Sequence, residues 1–298
     1  EVLEVPNSWL PESYHTAKGS RTLASVEREF DKRQSEKPPM GNIVPVFTGL
    51  LVAIILTGMD PYAAAGKEVD HASQYRTCME QAGNVPQDAF EAALRWRDLG
   101  GGDAAEHCVA AALIGLGQYT DAARRMETLA GKAKQNSSVK AGLLAHAAQA
   151  WLLADQAARA EAVLMAALKL TPEDSALFVD RAQARAALKD FKGALEDLNH
   201  AIAREDRRAD AYVFRAATYR FLDKPELALA DVERALALAP THAEGLLERG
   251  ILRRLRQDND GARQDWLRVL RLAPKSRAAD ASRRNLEKMD VKPDEPQR

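Results

Sequence analysis

Arginine and aspartate recur along this chain at a spacing that could set one against the other. Arg181, Arg215 and Arg249 lie 34 residues apart, and so do Asp197, Asp231 and Asp265. A guanidinium forks over a carboxylate and makes two parallel hydrogen bonds, so these residues are expected to form structural ion pairs between helices, within one segment or across to the next. One segment earlier both partners are missing together, as Ala147 and Val163. Shared descent of duplicated segments is the alternative, and it requires no contact. The chain has no glycine-rich phosphate loop and no serine in a G-x-S-x-G turn. Its six histidines, His15, His71, His107, His146, His200 and His242, include no i, i+4 pair of the kind that binds a metal on a helix. No catalytic residue, metal or cofactor is expected, and the chain reads as something other than an enzyme.

The paired charges sit inside a 34-residue pattern written four times, starting at Ala141, Ser175, Ala209 and Ala243 and ending at Ser276. Its eighth residue is always small (Ala148, Ala182, Ala216, Gly250), its twentieth is always alanine (Ala160, Ala194, Ala228, Ala262), and its twenty-seventh is Ala167, Ala201, Ala235 or Val269. Larger side chains stand between them, with Leu144, Phe178, Tyr212 and Leu246 at the fourth position and Leu164, Leu198, Val232 and Trp266 at the twenty-fourth. Pro172, Pro240 and Pro274 close three copies, and Asp206 stands there in the second. Two helices of about a dozen residues fit each copy, the small residues letting them approach and the proline ending the second. A looser copy from Asp103 keeps Ala110, Ala122 and Met126 in phase. Four extra residues separate it from Ala141, where a longer loop is expected.

This pattern resembles the tetratricopeptide repeat family. The resemblance implies an all-α fold, a right-handed superhelical solenoid of antiparallel helix pairs, with a protein- or peptide-binding role. In that family the first helix of each pair lines the concave face with its second, fifth, ninth and twelfth residues. A partner is therefore expected at Val179, Gln183, Val213, Ala217, Arg220, Leu247, Ile251 and Arg254, a mildly apolar groove that turns cationic towards its C-terminal end. Relatives that clamp the terminal carboxylate of chaperone tails use Lys and Asn at the fifth and ninth positions, where this chain has Val179, Val213, Leu247, Ala217 and Ile251. That partner class is not expected. Arg185 and Arg253 depart from the family pattern, which prefers an aromatic there, as Trp151 and Tyr219 are.

The net charge of −1, with 29% charged residues, gives no overall field to attract nucleic acid. Residues 1–42 are polar and proline-containing and read as a disordered or mis-called leader. Residues 43–66 contain the apolar run VFTGLLVAIILTGM, shorter than the about 20 residues of a comfortable membrane span and suited to the core of a signal peptide. Ala63, Ala64 and Ala65 supply the small residues of a cleavage site. Met40 to Pro45 holds no Lys or Arg, whereas Arg28, Lys32, Arg33 and Lys37 lie upstream. An uncleaved inner-membrane anchor and a soluble buried segment are therefore alternatives. Both membrane readings place the repeats outside the cytoplasm, in a periplasmic or exported protein. In that setting Cys78 and Cys108, the only cysteines, are expected to be joined, since they fall on first helices of consecutive pairs that stack side by side in the resembled family. Two free buried thiols are the alternative.

Residues 67–102 read as an N-terminal helix pair, a cap or degenerate repeat, with Asn84 capping a helix begun at Pro86 and stopped by Gly100–Gly102. Repeats follow at 103–136, 141–174, 175–208, 209–242 and 243–276, then a capping helix and disordered tail over 277–298. The expected function is a non-catalytic protein- or peptide-binding scaffold in a bacterial cell envelope, touching the membrane only through its N-terminal apolar segment. An accessory subunit of an envelope enzyme or assembly complex, and a self-associating structural repeat forming a homo-oligomer, are the alternatives. In an exporting bacterial host the leader should be removed near Ala65. Intact mass would then begin at Gly66, whereas residue 1 or 40 retained on membrane-bound protein would favour the anchor.

Overall fold

The computed structural model describes residues 70–132 and 136–290, and all regular secondary structure among them is helical. The apolar run 46–59, the Ala63–Ala65 signal and the tail 291–298 lie outside the described residues. No helix among the described residues is long and apolar enough to cross a membrane. In chain order the helices are α1 His71–Asn84, α2 Pro86–Trp96, α3 Gly102–Gly115, α4 Tyr119–Lys132, α5 Ser137–Leu153, α6 Ala157–Leu170 and α7 Ser175–Ala187. They continue as α8 Phe191–Arg204, α9 Ala209–Phe221, α10 Pro225–Leu238, α11 Ala243–Leu255, α12 Asn259–Leu272 and α13 Arg277–Asp290. From α3 onward they pack as consecutive pairs, and each second helix also packs on the next first helix. From α5 onward each first helix touches the next first helix as well.

Close approach within a pair comes from the small residues. Ala148, Ala182 and Ala216 at the eighth position, and all four alanines at the twentieth, are fully buried. The last copy shows why the eighth must be small there. A Cβ on Gly250 would overlap Nε1 of Trp266, so the indole occupies the space that alanine fills in the other copies. The Trp266 N–H donates to the Leu247 carbonyl at 3.2 Å.

The turn between paired helices is built the same way five times. Its fifteenth residue is left-handed in every copy: Gly117 (φ 75), Asp155 (58), Lys189 (64), Asp223 (55) and Gln257 (65). The following N–H reaches back five residues, from Gln118, Gln156, Asp190, Lys224 and Asp258 to the carbonyls of Leu113, Trp151, Arg185, Tyr219 and Arg253. This is the Schellman closure, which satisfies carbonyls at a helix end. The second helices also end alike. Thr171, Glu205, Ala239 and Ala273 all take φ near −140° with ψ between 63 and 86°. Because the copy with Asp206 ends like the three with proline, proline selects this end without being required for it.

The charged pairs lie between the two helices of one copy. Arg181 donates to Asp197 at 2.9 and 2.6 Å, Arg215 to Asp231 at 2.7 and 2.8 Å, and Arg249 to Asp265 at 2.9 and 2.7 Å. The three carboxylates are buried. Arg185 and Arg253 bring a second guanidinium to Asp197 and Asp265, at 3.0 and 2.9 Å, and also donate to the carbonyls of Gly193 and Gly261. They fill with hydrogen bonds the place an aromatic ring takes in the other two copies.

Two local expectations are corrected. Asn84 is the last residue of α1, not the cap of α2, and its side chain donates back to the Glu80 carbonyl while Val85 precedes α2 without a side-chain cap. The extra residues before Ala141 extend α5 to 17 residues by one turn at its start, with Asn136 accepting from the Val139 N–H as cap. The glycine stop holds: a π-helical turn over Arg97–Gly101 contains Gly100 at φ 90 and separates α2 from α3.

Cys78 on α1 and Cys108 on α3 are bonded through their sulfurs with Cα atoms 6.2 Å apart, inside the range a disulfide spans. The bridge ties the N-terminal pair to the first repeat. Non-reducing peptide mapping of exported protein should recover the two peptides joined. Replacing both cysteines by serine should lower unfolding free energy by about 3–4 kcal/mol, the loop-entropy effect of a closure of this length. Two free thiols in oxidised material would reject the bridge.

Candidate functional site

Along the inner side of the stack the sixth residue of a copy reaches back to the first helix before it. In the copy at 141 that residue is His146, whose Nδ1 lies 3.2 Å from Nε2 of His107 on α3, with the rings stacked at 5.2 Å. The other nitrogen of His107 lies 2.6 Å from the Tyr75 hydroxyl on α1, so one buried polar chain crosses three helices. The copy at 175 places Asp180 there, with Gln149 of α5 near enough to draw its carboxyl pKa downward. In the copy at 243 it is Glu248, which accepts from Arg220 of α9 at 2.5 and 3.1 Å, both residues buried. The Arg220 guanidinium also lies over the Phe221 ring, 4.5 Å from its centre.

Burial decides which protonation state each group keeps. Loss of hydration lowers the pKa of His107 from 6.5 to about 3, helped by repulsion from His146, and that of His146 from 6.5 to about 4. Both imidazoles stay neutral. Loss of hydration pushes the Asp180 carboxyl up to about 7, against the pull of Arg208 and with repulsion from Asp210 and Asp174. Arg208 itself donates to Asp210 at 3.0 Å and to Ser175 Oγ at 3.4 Å. Beside this group, Oε1 of Gln183, one turn along α7 from Asp180, and Nε of Arg208 are buried without a hydrogen-bond partner among the described residues.

The apolar groove expected from the sequence is closed. Val179, Gln183, Val213, Ala217, Arg220 and Leu247 are all buried, at 1 to 6% exposure. Adjacent first helices come close enough to use them as packing: Val213 Cγ2 would lie 3.3 Å from a Cβ on Gly245 of the next first helix. Val179 belongs to a cluster that includes Ala211 and Ala217 of α9. Only Ile251 and Arg254, near the C-terminal end, remain partly exposed, beside Gln149, Asp180, Asp210 and Glu244 of the same inner face. Among the described residues no group of three His, Cys, Asp or Glu side chains is placed to hold a metal. The sequence reading missed the Tyr75–His107–His146 chain because its members lie 32 and 39 residues apart, a spacing no helix-face rule samples. No single phase rule would have found it, because the sixth residue meets the fifth of the preceding copy at His146, the ninth at Asp180 and the twelfth at Glu248.

Fold and inner face together define an all-α solenoid of stacked helix pairs. Two solved solenoids superpose on it. The tetratricopeptide-repeat protein TTC0263 of Thermus thermophilus does so with a TM-score of 0.55 at 21% identity, covering 63% of this chain and 100% of its own. One chain of the Cut9–Hcn1 hetero-tetramer of the APC/C gives 0.56 at 14% identity, covering 72% of this chain and 42% of its own. The fold is thus that of tetratricopeptide-repeat solenoids. In sequence, 79 residues are 35% identical to tetratricopeptide repeat protein 16 of Homo sapiens, and 87 residues are 40% identical to tetratricopeptide repeat protein 36 of Bos taurus. These stretches are 26% and 28% of this chain but only 9% and 46% of those proteins, so the chain spans less than half of either relative. No protein-family profile matches the chain.

The neutral histidines make stability depend on pH. In the unfolded chain they take up protons below about pH 6.5, but in the fold only near 4 and 3. Their contribution is therefore complete above pH 6.5 and is lost as pH falls through that value towards 4, by roughly 1–2 kcal/mol per histidine at pH 5. Asp180 acts oppositely, opposing folding as pH rises from 3.8 towards 7. Urea unfolding at pH 7 and pH 5 should show a stability drop that a His107→Gln, His146→Gln variant largely removes. An equal drop in the variant would show that other groups cause it.

Proposed function

We propose that this protein is a non-catalytic scaffold that holds a peptide segment of a protein partner on the inner face of its helix pairs, in the cell envelope of a bacterium. The observation that carries the reading is the pair of unmatched atoms on that face. A buried polar atom without a partner costs about 1–3 kcal/mol, and Gln183 Oε1 and Arg208 Nε are such atoms, both neighbours of Asp180. One lacks a donor and the other an acceptor. A peptide main chain carries both, and reaching them requires the α7–α9 contact to open. The partly exposed Asp210, Glu244, Ile251 and Arg254 then give side-chain contacts along the C-terminal part of the same face.

The tetratricopeptide fold supports an interaction role, and the leader-like residues 43–66 with the two cysteines support the envelope. A subunit that serves a separate envelope enzyme or assembly is compatible with the same face.

Photo-crosslinking amino acids at positions 210 and 254, in the full chain expressed in an exporting bacterium, test the reading. Both should give discrete crosslinked bands, while position 233, exposed on a second helix, should give none. Crosslinking at 233 with silence at 210 and 254 would move the interaction off the inner face.

A further inference from the structure

On the opposite, second-helix side a cleft lies where the copy at 103 meets the copy at 141, the two copies that lack the Arg–Asp pair (Val109 and Arg125, Ala147 and Val163). It has a volume of about 560 Å³ and lies between α4 and α6, with Trp151 of α5 reaching into it. In the copies at 175, 209 and 243 the seventh and twenty-third residues are the Arg–Asp pairs that fill the seam between paired helices. In the copy at 141 they are Ala147 and Val163, and Val163 lines the cleft. Ala147 is buried and does not reach the cleft, while Val163 and Trp151, at 8% and 2% exposure, give it a small apolar lining.

The charge of this cleft is also particular to it. Arg159 lies over the Trp151 ring, 4.8 Å from its centre, and exposed Arg124 stands on the facing helix. At the nineteenth position, where Arg159 stands, the later copies have Gly193, Leu227 and Gly261. At the twenty-second, where Arg124 stands, they have Ala162, Glu196, Ala230 and Gln264. The one carboxylate in the lining, Glu127, already accepts the Trp151 indole N–H at 2.5 Å. Neither Arg124 nor Arg159 forms an ion pair among the described residues. Two guanidiniums with no ion pair, and one carboxylate already bonded to the indole N–H, are complementary to an anion attached to apolar groups.

We propose that this cleft docks an acidic, partly apolar segment of a protein partner. A carboxylate of the segment bridges Arg124 and Arg159, and an apolar side chain lies against Trp151 and Val163. The lining carries two arginines and no lysine, enough to hold one carboxylate and too few to follow a phosphate backbone. The proposal shares the interaction reading above but not its surface, so each can fail without the other.

The test uses the full chain and a fluorescein-labelled ten-residue peptide of alternating Glu and Leu, followed by fluorescence anisotropy. Saturable binding is expected, weakening with added salt. An Arg124→Glu, Arg159→Glu variant should weaken it at least ten-fold. An Ala147→Arg, Val163→Asp variant should do the same while keeping its melting temperature, since it installs the Arg215–Asp231 arrangement that already coexists with Tyr219 in this fold. No saturable binding, or binding that survives both variants, would overturn the proposal. So would a Lys–Leu peptide or a ten-nucleotide oligothymidine binding as tightly. Light scattering on the same samples covers self-association, and a dimer dissolved by both variants would give the cleft to a second copy and overturn it as well. If an Ala147→Arg, Val163→Asp chain is unfolded, the Arg124→Glu, Arg159→Glu variant, altered only at exposed positions, decides alone.

Discussion

The solenoid depends on how near two helices can come, and one side chain per crossing sets that distance. Where the eighth residue is alanine the facing helix brings a leucine or valine; where it is Gly250 the facing helix brings Trp266, whose ring takes the glycine's missing volume. At such separations water is excluded from whatever lies between the helices. A charge caught there must be matched, because removing one partner of a buried pair leaves an uncompensated charge and costs about 3–5 kcal/mol. The bidentate geometry at Asp197, Asp231 and Asp265 follows from this, as does the second arginine on two of them.

The same nearness separates what was legible in the sequence from what was not. Small residues at fixed phases announce a helix pair directly, since no other architecture demands them at 34-residue intervals. Positions 179, 213 and 247 gave no such direct signal. A valine on an inner stripe looks alike whether it faces a ligand or the next helix, and only the curvature of the stack, absent from any one copy, distinguishes them. The left-handed fifteenth residue was hidden for another reason. Asp155, Lys189, Asp223 and Gln257 take a conformation usually left to glycine, and only Gly117 marks it by residue type. The helix-end hydrogen bonds that hold them there are main-chain groups, which carry no sequence.

Buried polarity follows the same logic of neighbours. Inner-face groups meet partners on the helix before: His146 bonds His107, Glu248 bonds Arg220, and Gln149 stands near Asp180. Within a single copy these residues look unrelated, an imidazole, a carboxylate kept near its neutral form and an ion pair. Read across copies they occupy one position whose chemistry the preceding helix answers. This makes the register of stacking specific, because a slip by one copy would set His146 or Glu248 against the wrong partner.

In a stack of nearest neighbours an end copy has one interface to lose where an inner copy has two. The bond between Cys78 and Cys108 fastens α1 to α3, and the Tyr75–His107–His146 chain carries the hold on to α5. At the other end α13 offers a polar surface and a solvent-facing ion pair between Arg263 and Asp290. The described helices are thus held unequally at their two ends. Anything bound near Arg254 then adds, at the copy at 243, a hold that the crosslink supplies at the other end of the described helices.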